Sequence, residues 1–184
     1  MQKLFCALLA VCVLLGVARA AESPVAPALR APDVRYEPSD MEIVQVMLRL
    51  GDVKSVDVVF DLGCGDGRIV IAAARQAGAR GVCVDIDPKR IAESRENARK
   101  DGVADRVEFR NEDLFTTDLS GATVVMLFLW PELNLKLRPR LLQELKPGTR
   151  IVSHWHDMGD WTAQETASVT SNGRRRNVYL WTVP

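Results

Sequence analysis

Asp61-Leu62-Gly63-Cys64-Gly65-Asp66-Gly67-Arg68 decides the fold, because the nearly continuous apolar run Val56 to Leu62 leads into it and alanine-rich Arg68 to Ala77 leads out. The run reads as a strand buried on both faces, and the alanine-rich stretch as a helix. Three glycines in five residues let the backbone turn tightly and come close to a ligand. The helix N-terminus just beyond them offers free N–H groups to a carboxylate or phosphate.

Downstream, the same alternation repeats. Gly81 to Asp85 is a second buried strand, and Asp87 caps a helix with Pro88 at its first position, running to about Lys100 ahead of Gly102. Val107 to Arg110 is a short third strand and Thr123 to Leu129 an apolar fourth. Leu133, Leu137, Leu141 and Leu145 recur every four residues, which predicts a helix broken or kinked at Pro139. Lys146-Pro147-Gly148 ends that helix, and Thr149 to Trp155 is strand five. Val169 to Thr170 and Val178 to Thr182, around Ser171-Asn172-Gly173, predict a closing hairpin. Upstream, Ile43, Val46, Met47 and Leu50 lie at helical spacing, with Ser39 and Glu42 placed as a capping box. Alternating buried strands and helices imply an α/β fold: Rossmann-like, doubly wound, a mostly parallel seven-stranded sheet with a C-terminal antiparallel hairpin.

The first residues read differently. Lys3, the apolar run Leu4 to Ala18 and Ala18-Arg19-Ala20 have the layout of a secretory signal peptide over residues 1–20, cleaved after Ala20. Residues 21–34 hold three prolines and no apolar period and read as a flexible tether, with a single domain over 35–184. Export to a periplasmic or secreted location follows; a cytoplasmic protein with a misassigned start is the alternative. Removing the leader leaves 22 basic against 24 acidic residues, so no global basic field exists to attract nucleic acid. It also removes Cys6 and Cys12, leaving Cys64 and Cys83, which the strand layout predicts to stay unpaired.

The glycine pattern carries chemistry. Gly63, Gly65 and Gly67 give Gly-x-Gly-x-Gly where a dinucleotide loop has Gly-x-Gly-x-x-Gly, a spacing that suits the methionyl group of S-adenosylmethionine (SAM) better than a pyrophosphate. Asp85, 24 residues after Asp61, ends the second strand where a carboxylate can accept from both ribose hydroxyls. Asp87 competes for that role, but its place before Pro88 makes it the better helix cap. Asp113 follows the third strand, placed to accept from an adenine amino group or to cap a helix.

On these residues the chain from Tyr36 onward resembles the seven-stranded class I methyltransferases. In them the glycine loop and the acids after strands two and three grip methionine, ribose and adenine. Finer resemblance is to protein-lysine methyltransferases of the ATP synthase c-subunit type. It rests on Tyr36-x-Pro38-Ser39, Phe128-Leu129-Trp130-Pro131 and Gly148-x-Arg150-Ile151-Val152-Ser153. The resemblance implies SAM as cosubstrate, held by Tyr36, Pro38, Asp61, Gly63, Gly65, Gly67, Asp85 and Asp113.

Enzymes acting on planar amides or base amines carry Asp/Asn-Pro-Pro-aromatic after strand four, and here Leu129-Trp130-Pro131-Glu132 stands instead. A tryptophan face and a carboxylate suit an aliphatic ammonium, so Trp130 and Glu132 are candidate pocket residues, with packing at a strand end the other reading of Trp130. His154 and His156 alternate onto one face at the end of strand five, and His154 is the candidate proton acceptor; a metal site is not expected. The expected reaction is methyl transfer to a protein lysine or small amine. An exported, inactive SAM- or nucleoside-binding module and a small-molecule methyltransferase stay open as alternatives.

Overall fold

The computed structural model describes residues 29–184; the leader and the first part of the tether lie outside the described residues. The elements follow chain order: α1 (Met41–Leu50), β1 (Val58–Leu62), α2 (Arg68–Ala77), β2 (Arg80–Asp85), α3 (Pro88–Lys100), β3 (Val107–Asn111), β4 (Val124–Leu127), α4 (Pro131–Glu144), β5 (Arg150–His154), β6 (Glu165–Ser171) and β7 (Arg174–Thr182). One seven-stranded sheet has the order β3-β2-β1-β4-β5-β7-β6. All its pairings are parallel except those of β7 with β5 and β6. The chain leaves β1 toward β2 and later returns to its other side as β4. The ends of β1 and β4 therefore form the switch point, where open sheets of this kind carry ligands.

Alternation along the strands divides the core. Val59 of β1 packs in a cluster with Ile43, Val44 and Met47 of α1, Ala72, Ala73 and Ala74 of α2, and Ile91 and Ala98 of α3. Phe60 and Leu62 face the opposite cluster with Leu137 and Leu141 of α4 and Trp181 of β7. Asp87 caps α3 by accepting from the Lys89 N–H, as its place before Pro88 predicts. α4 instead starts at Pro131 and runs unbroken through Pro139. That proline is exposed, so water can serve the carbonyl it leaves without a donor.

Two sequence expectations fail locally. Ser39 caps nothing: the N-cap of α1 is Asp40, and the buried Ser39 hydroxyl instead pairs with His154 Nδ1 at 2.9 Å. Cys64 and Cys83 are joined in a disulfide, with α-carbons 5.3 Å apart. The glycine loop folds back across the end of β2, where the Gly63 and Cys64 N–H groups both donate to the Val84 carbonyl, so Cys64 lands beside Cys83. The strand layout alone, with Cys64 past the end of one strand and Cys83 inside the next, does not show this reversal.

The opposite edge of the sheet is tied by charge. Asp57, buried just before β1, accepts from the Lys54 N–H at 2.7 Å and the Thr123 hydroxyl at 2.8 Å, and pairs with the Arg150 guanidinium. Arg150 also donates to the Gly51 and Asp52 carbonyls, joining the starts of β1, β4 and β5 to the end of α1. Arg150→Ala strands the Asp57 carboxylate, and an unfolding titration should show a loss of about 3 kcal/mol. A loss below half that would place the stabilisation elsewhere.

Candidate active site

The site grows out of the turn between β1 and α2. Gly63, Gly65 and Gly67 have φ of 84°, 55° and 80°, all in the left-handed region that side chains disfavour. At Gly65 space is closed as well, since a β-carbon there would stand 2.3 Å from Cε2 of Tyr36. Tyr36 thus covers the loop, and the Arg90 guanidinium sits 4.5 Å from its ring centroid. The Gly65 N–H donates to Asp85 Oδ2 at 2.9 Å, and the Asp87 N–H donates to Asp85 Oδ1 at 2.9 Å. Each oxygen keeps a lone pair, and burial pushes the carboxyl pKa up.

A cavity of about 310 Å³ opens over these strand ends, lined by Tyr36, Gly63, Asp85, Asp113, Leu114 and Leu129 among others. Asp113 accepts from the Phe115 N–H and takes the Arg30 guanidinium at 2.6 and 3.1 Å. Arg30, Pro32, Asp33 and Val34, the tail of the expected tether, lie on the cavity wall. Asp61, 2% exposed, has Oδ2 without a hydrogen-bond partner; burial, then Asp85 and Asp66, raise its pKa well above the usual carboxylate range. Pro38 is exposed and lines no part of the cavity.

A second cavity of about 400 Å³ shares Val34, Arg35, Glu37, Phe128 and Leu129 with the first, and adds Trp130, Trp155, His156, Arg174 and Arg176. Trp130 is 56% exposed, while Glu132, in the first turn of α4, is exposed but lines neither cavity. The histidines do not share a face. His154 is 2% exposed, against the Phe128 ring, with Nε2 unpartnered. Burial, with Arg176 and His156 nearby, pushes its pKa down to about 4. Trp155 has φ 69°, which ends the strand alternation and turns His156 into the second cavity. Burial lowers the His156 pKa as well, opposed by Asp157, Glu132 and Glu37. Among the described residues no cluster of three or more His, Cys, Asp or Glu side chains could hold a metal ion.

Sequence reasoning missed Arg30, Glu37 and Arg35 at the site. They come from a stretch without apolar period, and only the position of Tyr36 hinted that it packs there.

The residues fit SAM: Gly63, Asp85 and Asp113 line one cavity, and the rest of the closed glycine turn and the orphaned Asp61 carboxyl lie behind its wall. Comparison with known proteins agrees. A solved structure described as an RNA methyltransferase from Salinibacter ruber, in complex with S-adenosyl-L-homocysteine, is 52% identical. The match covers 80% of this chain and 94% of that one, with a TM-score of 0.76. A protein-lysine N-methyltransferase of Saccharolobus islandicus is 40% identical over 153 residues, covering 83% of this chain and 95% of its own. The lysine N-methyltransferase of the ATP synthase c-subunit from Xenopus laevis is 32% identical over 137 residues, 74% of this chain and 60% of that protein. Fold, cavity and relatives define a SAM-dependent methyltransferase. The model of the ANTKMT methyltransferase domain matches residues 61–165, and the chain belongs to that family.

Two buried groups set opposite pH slopes. The unfolded His154 gains a proton below its ordinary 6.5 while the folded one does not until about 4, so stability falls as pH drops through that window. Folded Asp61 holds its proton above the ordinary 3.8, so its contribution declines as pH rises from there toward the raised pKa. Melting profiles should show the acid-side decline flattened in His154→Gln and the other slope flattened in Asp61→Asn. Unchanged profiles in both variants would show that neither group titrates differently on folding.

Proposed function

We propose that the methyl acceptor is a protein lysine, and that the second cavity admits it. The observation that carries this reading is the continuity of the two cavities over Phe128 and Leu129, with an exposed Trp130, Glu37 and His156 on the acceptor side. A tryptophan face and a carboxylate attract an ammonium, and after β4 the apolar Leu129 stands where a polar side chain would hold a planar amide. The names of the two lysine-methylating relatives point the same way.

SAM supplies an electrophilic methyl group on a sulfonium. In our reading Gly63, Gly65 and Gly67 shape the methionyl site, and the Asp61 carboxyl, ionised on binding, meets its ammonium. Asp85 accepts from the ribose hydroxyls, and Asp113 accepts from adenine once Arg30 yields. The lysine must lose a proton before it attacks. His156, which lines the acceptor cavity and is neutral near neutral pH, is placed to take it, whereas His154 is enclosed. Tyr36 and the apolar walls exclude water, and positioning is most of what remains for the protein to contribute.

Asp85→Ala should weaken SAM by about 1.5–3 kcal/mol, roughly 10- to 150-fold, read by calorimetry. Unaltered affinity would remove Asp85 from the site. A second reading, RNA methylation, is favoured by the description of the 52% identical structure. Labelled SAM added to a fractionated lysate separates the two: label on protein, released as methyl-lysine on hydrolysis, supports the first, and label confined to RNA the second.

We infer further that the chain is exported. The leader pattern of residues 1–20 and a disulfide in the cofactor loop both suit an oxidising compartment, in which SAM would have to be supplied. Protein from its own cells should begin at Ala21, fractionate with the envelope or medium, and carry no free thiol after denaturation. A cytoplasmic protein retaining Met1 would contradict this.

A further inference from the structure

The mouth of the acceptor cavity is cationic, with three arginines against the single carboxylate of Glu37. Arg35, Arg174 and Arg176 line it, and none of the three makes an ion pair among the described residues. Most other arginines of the domain are engaged: Arg30, Arg68, Arg75, Arg90, Arg99, Arg110, Arg138, Arg140 and Arg150 all meet carboxylates.

The mouth is also built rather than loose. Arg174 follows the Asn172-Gly173 turn, both residues at left-handed φ, and the turn is anchored because the Ser171 hydroxyl bonds Asp40 Oδ2 at 2.9 Å. The Arg176 guanidinium lies 3.6 Å from the centroid of the Trp155 ring, and the Trp155 N–H donates to the Asn177 carbonyl at 2.7 Å. A tryptophan in a strained backbone conformation is thus spent on seating an arginine at the cavity wall.

Three unpaired guanidinium groups oppose the entry of a bare ammonium. They favour one carried on a segment whose own carboxylates meet them. We propose that the rim formed by Arg35, Arg174 and Arg176 docks an acceptor segment in which aspartate or glutamate flanks the target lysine. The proposal rests on the lysine reading above. Phosphates would also meet arginines, but the chain as a whole carries no excess positive charge to gather a polyanion.

The test uses the full domain saturated with S-adenosyl-L-homocysteine and fluorescent peptides with one central lysine. The flanks are acidic, neutral or basic, and binding is read by anisotropy at low and moderate salt. The acidic peptide should bind on the order of tenfold more tightly than the neutral one, and the basic one least, with the gap closing as salt rises. R174A/R176A should abolish the gap, and R174K/R176K, which keeps the charge, should retain part of it; a melting curve checks that each folds. Equal affinity for acidic and neutral peptides in the unmodified protein overturns the proposal without any variant. So does a single-stranded RNA of similar length that binds more tightly than the acidic peptide and loses affinity in R174A/R176A. Methyl transfer from labelled SAM is followed in parallel. Its absence from every peptide tells against the lysine reading, while the ranking of affinities decides the docking proposal on its own.

Discussion

The backbone reversal at the end of β1 is the constraint on which the site depends. Three residues in the left-handed region fold the chain back so that two successive N–H groups meet one carbonyl of β2 and a third meets Asp85. That single set of bonds fixes the height of the loop above the sheet, the direction in which α2 departs and the orientation of the Asp85 carboxylate. Any residue with a β-carbon at Gly65 would also collide with Tyr36. The loop and the segment preceding α1 are thus fitted to one another, although they lie far apart in the chain.

Around this reversal the protein keeps polar groups in places where they cost stability. Asp61 and His154 are both enclosed, each with one atom unsatisfied, and burial drives both toward their neutral forms. Uncharged, they are tolerable in the core; a ligand able to meet Asp61 would recover a bond that the free protein forgoes. His154 is different, because its Nδ1 is taken up by Ser39 and its ring by Phe128. It joins the end of β5 to the segment before α1 and thereby supports Phe128, which lines both cavities.

Much of this was legible in the residues. Apolar runs alternating with helical spacing placed the five parallel strands and the helices, since buried parallel strands leave little room for another pattern, whereas the half-exposed β6 was seen only at Val169 and Thr170. α2 and α3 match to the residue, because glycine, proline and Asp87 mark their ends chemically. What escaped was whatever depended on the chain turning back on itself. The disulfide needed the loop reversal, and the parting of His156, on the second cavity, from the enclosed His154 needed the left-handed Trp155, which no periodicity announces. The acids of the cofactor site were visible as strand-end residues, whereas Arg30 at Asp113 was not, coming from a proline-rich stretch with no periodic signal.

The bond between Cys64 and Cys83 has a consequence for how the domain breathes. It closes a loop over the turn, all of α2 and the start of β2, with its ends 19 positions apart. Subglobal openings that fray α1, the hairpin of β6 and β7, or α4 leave this unit covalently joined, so its ends remain in register. The amides of Gly63 and Cys64, bonded to the Val84 carbonyl beside it, should then exchange more slowly than those of the outer elements. A molecule whose outer elements loosen and reseal would meet its cosubstrate each time with the same preformed cradle, and motion at the acceptor side would be uncoupled from order at the cofactor side.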